Sequence, residues 1–246
     1  MTKKILGILT VATVLILAGC KQDMDNTTLN PYLYDYVPLD IGHSVIYDVD
    51  SISYSFVNGG TQQVTTSYYQ LMYQVYDTFY TSAPTTNYGI YIWKRTDTTQ
   101  PFQLWQEQYC WQTRNTYEDV ENDLHFLKLV FPPINGVNWQ GNQYLPANDT
   151  VMDTYFPYAG WNYTYTSVNV PQTFNNVHFD STLTVMQDSN QNLINDLVSV
   201  ESYARHVGMI YKKWEIINKQ SISSTWANPD SANGFRIIMT FHSYTP

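Results

Sequence analysis

Cysteine, positive charge and long apolar runs are what this 246-residue chain has least of, and each scarcity excludes something. It carries two cysteines and 12 lysines and arginines against 21 acids, and only 13% of its residues are charged. One cysteine, Cys20, ends an N-terminal apolar segment and reads as a lipidation site. Cys110 is then left without a partner, so an intrachain disulfide is excluded and stability must come from packing. The formal charge of −9 repels nucleic acid and anionic lipid heads, so no nucleic-acid partner is expected. Metal and nucleophile signatures are missing too. His43, His125, His178, His206 and His242 never fall at metal-ligand spacing. There is no H-E-x-x-H, no Cys/His cluster and no G-x-S-x-G. No metal, no cofactor and no catalytic residues are expected, and the chain reads as a non-enzyme.

The one long apolar run covers residues 5–17, after Lys3 and Lys4. At about thirteen residues it falls short of the roughly twenty that span a bilayer. A basic start, a short apolar stretch and small residues before a cut describe a signal peptide. Here the sequence Leu17-Ala18-Gly19-Cys20 closes it and resembles the bacterial lipobox, whose cysteine thiol receives a diacylglycerol before the chain is cut ahead of it. The expected organisation is a lipoprotein signal peptide over 1–19, a lipidated polar tether over 20–31 and one β-rich domain over 32–246. The membrane is then a partner through the lipid on Cys20, and the expected location is the bacterial outer membrane, facing either the surface or the periplasm. Cleavage removes Lys3 and Lys4 and no acid, which leaves 10 basic against 21 acidic residues, or −11.

What the chain has in plenty is aromatic. Aromatics make up 16% of it, with 22 tyrosines, and such residues favour pleated, half-buried surfaces. Period-two alternation predicts strands over 44–56, 68–80, 88–95, 102–111, 124–131, 161–170, 177–187, 193–206, 209–218 and 235–244. Asn58-Gly59-Gly60 predicts a hairpin turn. Tyr69, Leu71, Tyr73 and Val75 are expected on a core face. The shift of phase from Tyr47 and Val49 to Ile52, Tyr54 and Phe56 suggests a bulge near Asp50. Residues 113–123 read as a polar, acidic loop or one helical turn, and 134–158 as a long irregular excursion. The expected fold is all-β with little helix: an antiparallel curved sheet forming a barrel, half-barrel or sandwich.

Three segments resemble a family of uncharacterised Bacteroidota lipoproteins. Tyr36, Pro38, Leu39, Gly42 and Tyr47 match its opening motif. Phe131 and Pro132 with Trp139, Gly141 and Asn142 resemble its middle, and Tyr203, Ala204, Val207, Gly208 and Ile210 its closing strand pair. His206 stands where the family more often has glycine. The resemblance implies a β-rich exported lipoprotein, with a half-barrel like that of lipoprotein carriers. It supplies no reaction.

Asp188, Asn190 and Asn192 imitate the start of a calcium loop, but Leu193 and Ser199 occupy the places of its glycine and closing glutamate. A polar hairpin turn is the better reading. Cys110, between Tyr109 and Trp111, reads as a small buried strand residue. The acids Glu118, Asp119, Glu121 and Asp123 read as a solvated loop. Ligand or partner binding falls to aromatics crowding the 134–161 segment: Trp139, Tyr144, Tyr155, Phe156, Tyr158 and Trp161, which suit a glycan or an envelope-protein partner. The alternative for these rings is that they pack down over the sheet. A non-catalytic binding or structural module is expected, with a glycan binder, or a carrier of an apolar ligand in a half-barrel cavity, as alternatives.

Overall fold

The computed structural model describes residues 32–57, 60–80, 85–145, 160–220, 222, 224–226 and 228–246. The segment holding Cys20, the turn at Asn58-Gly59, and Tyr155, Phe156 and Tyr158 lie outside them.

Twelve strands make one antiparallel sheet: β1 (Ser44–Val57), β2 (Thr61–Tyr80), β3 (Thr86–Arg95), β4 (Gln103–Gln112), β5 (Thr116–Glu121), β6 (Leu124–Val130), β7 (Asn138–Trp139), β8 (Tyr163–Phe174), β9 (Val177–Gln191), β10 (Asn195–Ala204), β11 (Gly208–Lys219) and β12 (Ala232–Thr245). Helix is confined, among the described residues, to one 3-10 turn at Tyr34–Tyr36. The order across the sheet is β6-β5-β4-β3-β2-β1-β12-β11-β10-β9-β8-β7. Every strand pairs with a neighbour in sequence, except that β1 also pairs with β12 at the centre. The two edges, β6 and β7, are therefore consecutive in the chain, and the sheet curls until they meet.

Side chains and one backbone bond make that seam. The Leu127 amide donates to the Gly141 carbonyl at 2.8 Å, and Trp139 Nε1 donates to the Leu127 carbonyl at 2.9 Å. The result is a nearly closed barrel, which removes most of the exposed edge that an open sheet offers for aggregation. Gly141 lies so close to the Tyr163 ring that any Cβ would collide with it; glycine permits the approach.

The interior face follows the expected alternation. Val45, Tyr47, Val49, Leu71, Val75, Ile90, Ile92, Cys110, Met239 and Phe241 form one buried cluster, and Leu129, Tyr163, Tyr165, Leu183, Val185 and Tyr203 belong to a second. Two expectations are corrected. Residues 116–121 are strand β5, not a loop or helical turn: their alternate acids point into the barrel, where lysines meet them. The β1–β2 register runs unbroken from Ser44 to Val57, with no bulge near Asp50. Ile52 and Tyr54 simply lie on the face opposite Tyr47 and Val49. Tyr54 is buried there with Ile217 and Ala232 in a third, smaller cluster, against which Ile52 and Trp226 pack half-buried. The turn after Gln191 is the hairpin expected for the calcium-like stretch, its Asn192 Oδ1 accepting from the amides of Ile194 and Asn195.

A strap formed by the first described residues crosses one end of the barrel. Tyr36 is fully buried, and its hydroxyl donates to Asn169 Oδ1 at 2.8 Å and meets Ser181 Oγ at 2.9 Å. Asp35 pairs with Arg205, and its carbonyl accepts from the His206 amide at 2.6 Å. His206 takes a left-handed φ of 63°, so the corner that favours glycine forms with histidine. On the other wall Tyr34 Oη donates to the Arg114 carbonyl, and the Gly42 amide donates to Val75.

Candidate functional site

The six aromatics singled out in the sequence do not act as one group. Trp161 is 3% exposed and belongs to the core. Trp139 is half-buried, its ring 4.6 Å from that of Tyr165 and its indole N–H spent on the seam. Of the described members only Tyr144 presents its ring to solvent, 49% exposed. Tyr155, Phe156 and Tyr158 lie outside the described residues.

Tyr144 ends a track of rings along the outer wall of β2 to β6. It stacks on His125 at 3.9 Å with the planes 6° apart. His125 lies 4.8 Å from Trp111, Trp111 lies 6.1 Å from Tyr109, and Tyr109 meets Phe79 edge-on at 5.9 Å. Strand alternation builds this line. Cys110 is buried in the barrel, so its neighbours Tyr109 and Trp111 must face outward. Glu118 fixes His125: His125 Nε2 and Glu118 Oε2 are 2.7 Å apart, and Thr116 Oγ1 donates to the other carboxylate oxygen at 2.7 Å.

A second line runs beside it on β2 and β3. Tyr76 stacks on Tyr91 at 3.6 Å, and Tyr91 meets Trp93 at 5.7 Å. Gly89 makes room for it, since a Cβ there would sit 2.6 Å from the Tyr76 ring. Gly89 pairs directly with Tyr109, which joins the two lines into one field. The charges named beside these rings are acidic: Glu107 and Asp77 act on Tyr76, and Glu118 holds His125. Sequence reasoning found Tyr144 and missed the rest. The signal was present in the i, i+2 pairs Tyr91/Trp93 and Tyr109/Trp111, each spaced for a single strand face.

The interior is the other concentration of chemistry. Lys128 Nζ lies 2.8 Å from Glu121, 2.9 Å from Glu201 and 4.0 Å from Asp119. Lys212 Nζ lies 3.2 Å from Glu201 and 3.4 Å from Glu121. Tyr203 Oη donates to the second oxygen of Glu201 at 2.7 Å. Burial works to raise the Glu201 carboxyl, but Lys128 and Lys212 prevail and bring it down to about 2. Glu121 is lowered by the same two lysines against the same burial. Asp119 goes the other way: burial raises it well above the usual carboxylate range, and Lys128 is too distant to offset burial plus the two glutamates.

Beneath the strap this cluster borders a cavity of about 100 Å³. Pockets for lipid-sized or drug-sized ligands run to roughly 300–1,000 Å³ and are mostly apolar. Val37, Leu39, Val45, Val75 and Ile90 line this cavity beside the charged cluster, and its volume is below that range.

No protein-family model and no curated protein matches the chain. Among solved structures it is similar to a Bacteroides fragilis protein described as exported, with a YmcC-like fold. The match has 8% identity and a TM-score of 0.37, and covers 85% of this chain and 98% of that one. At that score the likeness transfers neither fold nor function.

Proposed function

We propose that this chain is a lipid-anchored, non-catalytic binding module of the bacterial envelope that takes neutral carbohydrate on its outer track of rings. The observation behind the ligand is the field that runs from Tyr144 to Phe79 and across to Trp93. It is built on paired strands, with Tyr144, Tyr109 and Phe79 between 38% and 49% exposed. Sugar rings present apolar faces that stack on aromatics, and rings held by a sheet lose little freedom on binding. The acids beside the track disfavour acidic sugars and leave neutral ones. The anchor rests on residues 17–20, where the lipobox-like sequence ends at Cys20.

Two experiments bear on this reading. A glycan array probed with the full chain should return neutral oligosaccharides, and the signal should fall at least tenfold with Trp111→Ala, the loss of about 1.4 kcal/mol. In the bacterium, Cys20→Ala should move the protein out of the membrane fraction; retention there contradicts the anchor.

A further inference from the structure

One strand edge escapes the closure of the barrel. β2 pairs with β1 from Thr61 onward, but with β3 only from Gln70 onward. β3 stops at Arg95 because the chain turns there: the Thr99 amide donates to Asp97 Oδ1 at 2.8 Å, and the Gln100 amide to the Asp97 carbonyl at 3.0 Å. Residues 61–69 therefore have no ladder partner on that side among the described residues. All of them are exposed except Gln62 and Tyr69, which are half-buried. Alternate residues of such an edge point N–H and C=O outward, and together they form a template for another strand.

Monomeric proteins guard a free edge with lysine, proline or a bulge. Here the edge reads Thr-Gln-Gln-Val-Thr-Thr-Ser-Tyr-Tyr, without a charge or a proline. The β1–β2 register has no shift along it. We propose that this edge is a self-association site, which pairs antiparallel with the same edge of a second copy about a two-fold axis at Thr65.

The length of the edge sets that register. Centred on Thr65, Thr61 of one copy lies opposite Tyr69 of the other, and Gln63 opposite Ser67. Gly60 then falls opposite Gln70, so each hairpin ends where the other copy's β3 begins. The side chains agree with this pairing. Val64 and Tyr68, 52% and 70% exposed, share the outer face with Tyr54 and Asp50, their partners on β1. In the pair, Val64 faces Thr66 of the other copy and lies diagonal to its Val64 and Tyr68, within reach of an aromatic ring. The apolar side chains left in water on this hairpin thus cover one another. Charge points the same way: a formal −9 sets copies of the chain against each other, and along this edge no like charges meet. Nine residues a side is fewer than the 20–30 of a standard interface, so the dimer is weak and reversible. The inference does not rest on the carbohydrate reading, whose rings Tyr76 and Phe79 lie at the opposite end of β2.

The test is sedimentation of the full chain in detergent over a concentration series, with variants along the edge. A monomer–dimer equilibrium is expected. Val64→Lys/Thr66→Lys sets lysine opposite lysine twice and should weaken dimerisation at least tenfold; Val64→Glu/Thr66→Glu should do the same. Mixing the two variants sets lysine opposite glutamate and should restore a dimer, which a misfolded hairpin would not do. Facing residues of an antiparallel pair have Cα atoms about 4.5–5.5 Å apart, within disulfide reach. Mild oxidation should therefore link Thr65→Cys into a covalent dimer. Thr61→Cys, whose two copies stand eight positions apart, or about 27 Å, should give no more than the wild-type chain. A chain that stays monomeric throughout the series overturns the proposal, as does a folded Val64→Lys/Thr66→Lys protein that dimerises like the wild type. Equal crosslinking of Thr65→Cys and Thr61→Cys overturns the pairing about Thr65.

Discussion

The hydroxyl of Tyr165 on β8 closes a ring with a single residue of β6: it accepts from the Val130 amide at 3.0 Å and donates to the Val130 carbonyl at 2.7 Å. One side chain thus satisfies both backbone groups that a missing strand would have paired. Tyr165→Phe keeps the ring and removes the clasp, leaving a buried donor and acceptor to find water. The expected cost is about 1–3 kcal/mol in chemical denaturation. Amide exchange should speed up at Val130 more than at Leu71, which is also buried but belongs to the other cluster. Unchanged exchange at Val130 would show that the seam does not depend on this hydroxyl.

Lys128 is the hub of the interior. Replacing it with Met leaves Glu121 and Glu201 sharing Lys212 and strands negative charge at Glu201, which is buried. A loss of about 3–5 kcal/mol is expected, because breaking a buried pair costs far more than the pair contributes. Adding Glu201→Gln to Lys128→Met should recover part of that loss. If the double variant is as unstable as the sum of its parts, charge imbalance is not the cause.

Stability should peak at mildly acidic pH, since the interior acids are shifted in opposite directions. Glu201, lowered to about 2, contributes stability that is complete above its unfolded value near 4.5 and is lost as pH falls toward 2. Asp119 is raised, so the native state keeps a proton that the unfolded chain releases above about pH 4. Its contribution therefore declines as pH rises, by up to about 1.4 kcal/mol per unit, until the native carboxyl ionises as well. Urea denaturation from pH 4 to 9 should show this alkaline decline in the wild-type chain and its loss in Asp119→Asn. An identical slope in both proteins would rule out Asp119 as the source.

Gly89→Val tests the outer field without removing a ring. The new side chain takes the space under Tyr76 and drives it off Tyr91, at a cost of about 1–3 kcal/mol. Near-ultraviolet circular dichroism should change with the loss of the 3.6 Å stack, and carbohydrate binding should weaken. A protein that is destabilised but binds unchanged would exclude the Tyr76 line from the site.

Much of the barrel can be read from alternation alone. Leu71 and Val75 on β2, and Met239 and Phe241 on β12, fall on the buried face that their spacing predicts. The charged interior could not be read that way. Asp119 and Glu121 look like solvated acids because the lysines that answer them sit on β6 and β11, and Lys212 is about ninety residues away in sequence. Ile52 and Tyr54 misled for a related reason: the segment after β11 builds a small core on the outer face, so apolar phase ceased to report which side faces the barrel. Crowding of aromatics was a poor guide to the site, since Trp139 and Trp161 are consumed by the seam and the core. Strand parity was the better guide, and it places Tyr109 and Trp111 outside because Cys110 is inside.

Affinity electrophoresis settles whether the outer rings bind carbohydrate. The full chain is run through native gels cast with neutral polysaccharides, namely glucans, mannans and xylans, beside a Tyr109→Ala/Trp111→Ala variant whose fold is checked by circular dichroism. The expected result is retardation of the wild-type chain by at least one polymer, lost in the variant. No retardation on any polymer, or equal retardation of both proteins, would contradict a carbohydrate site on this face.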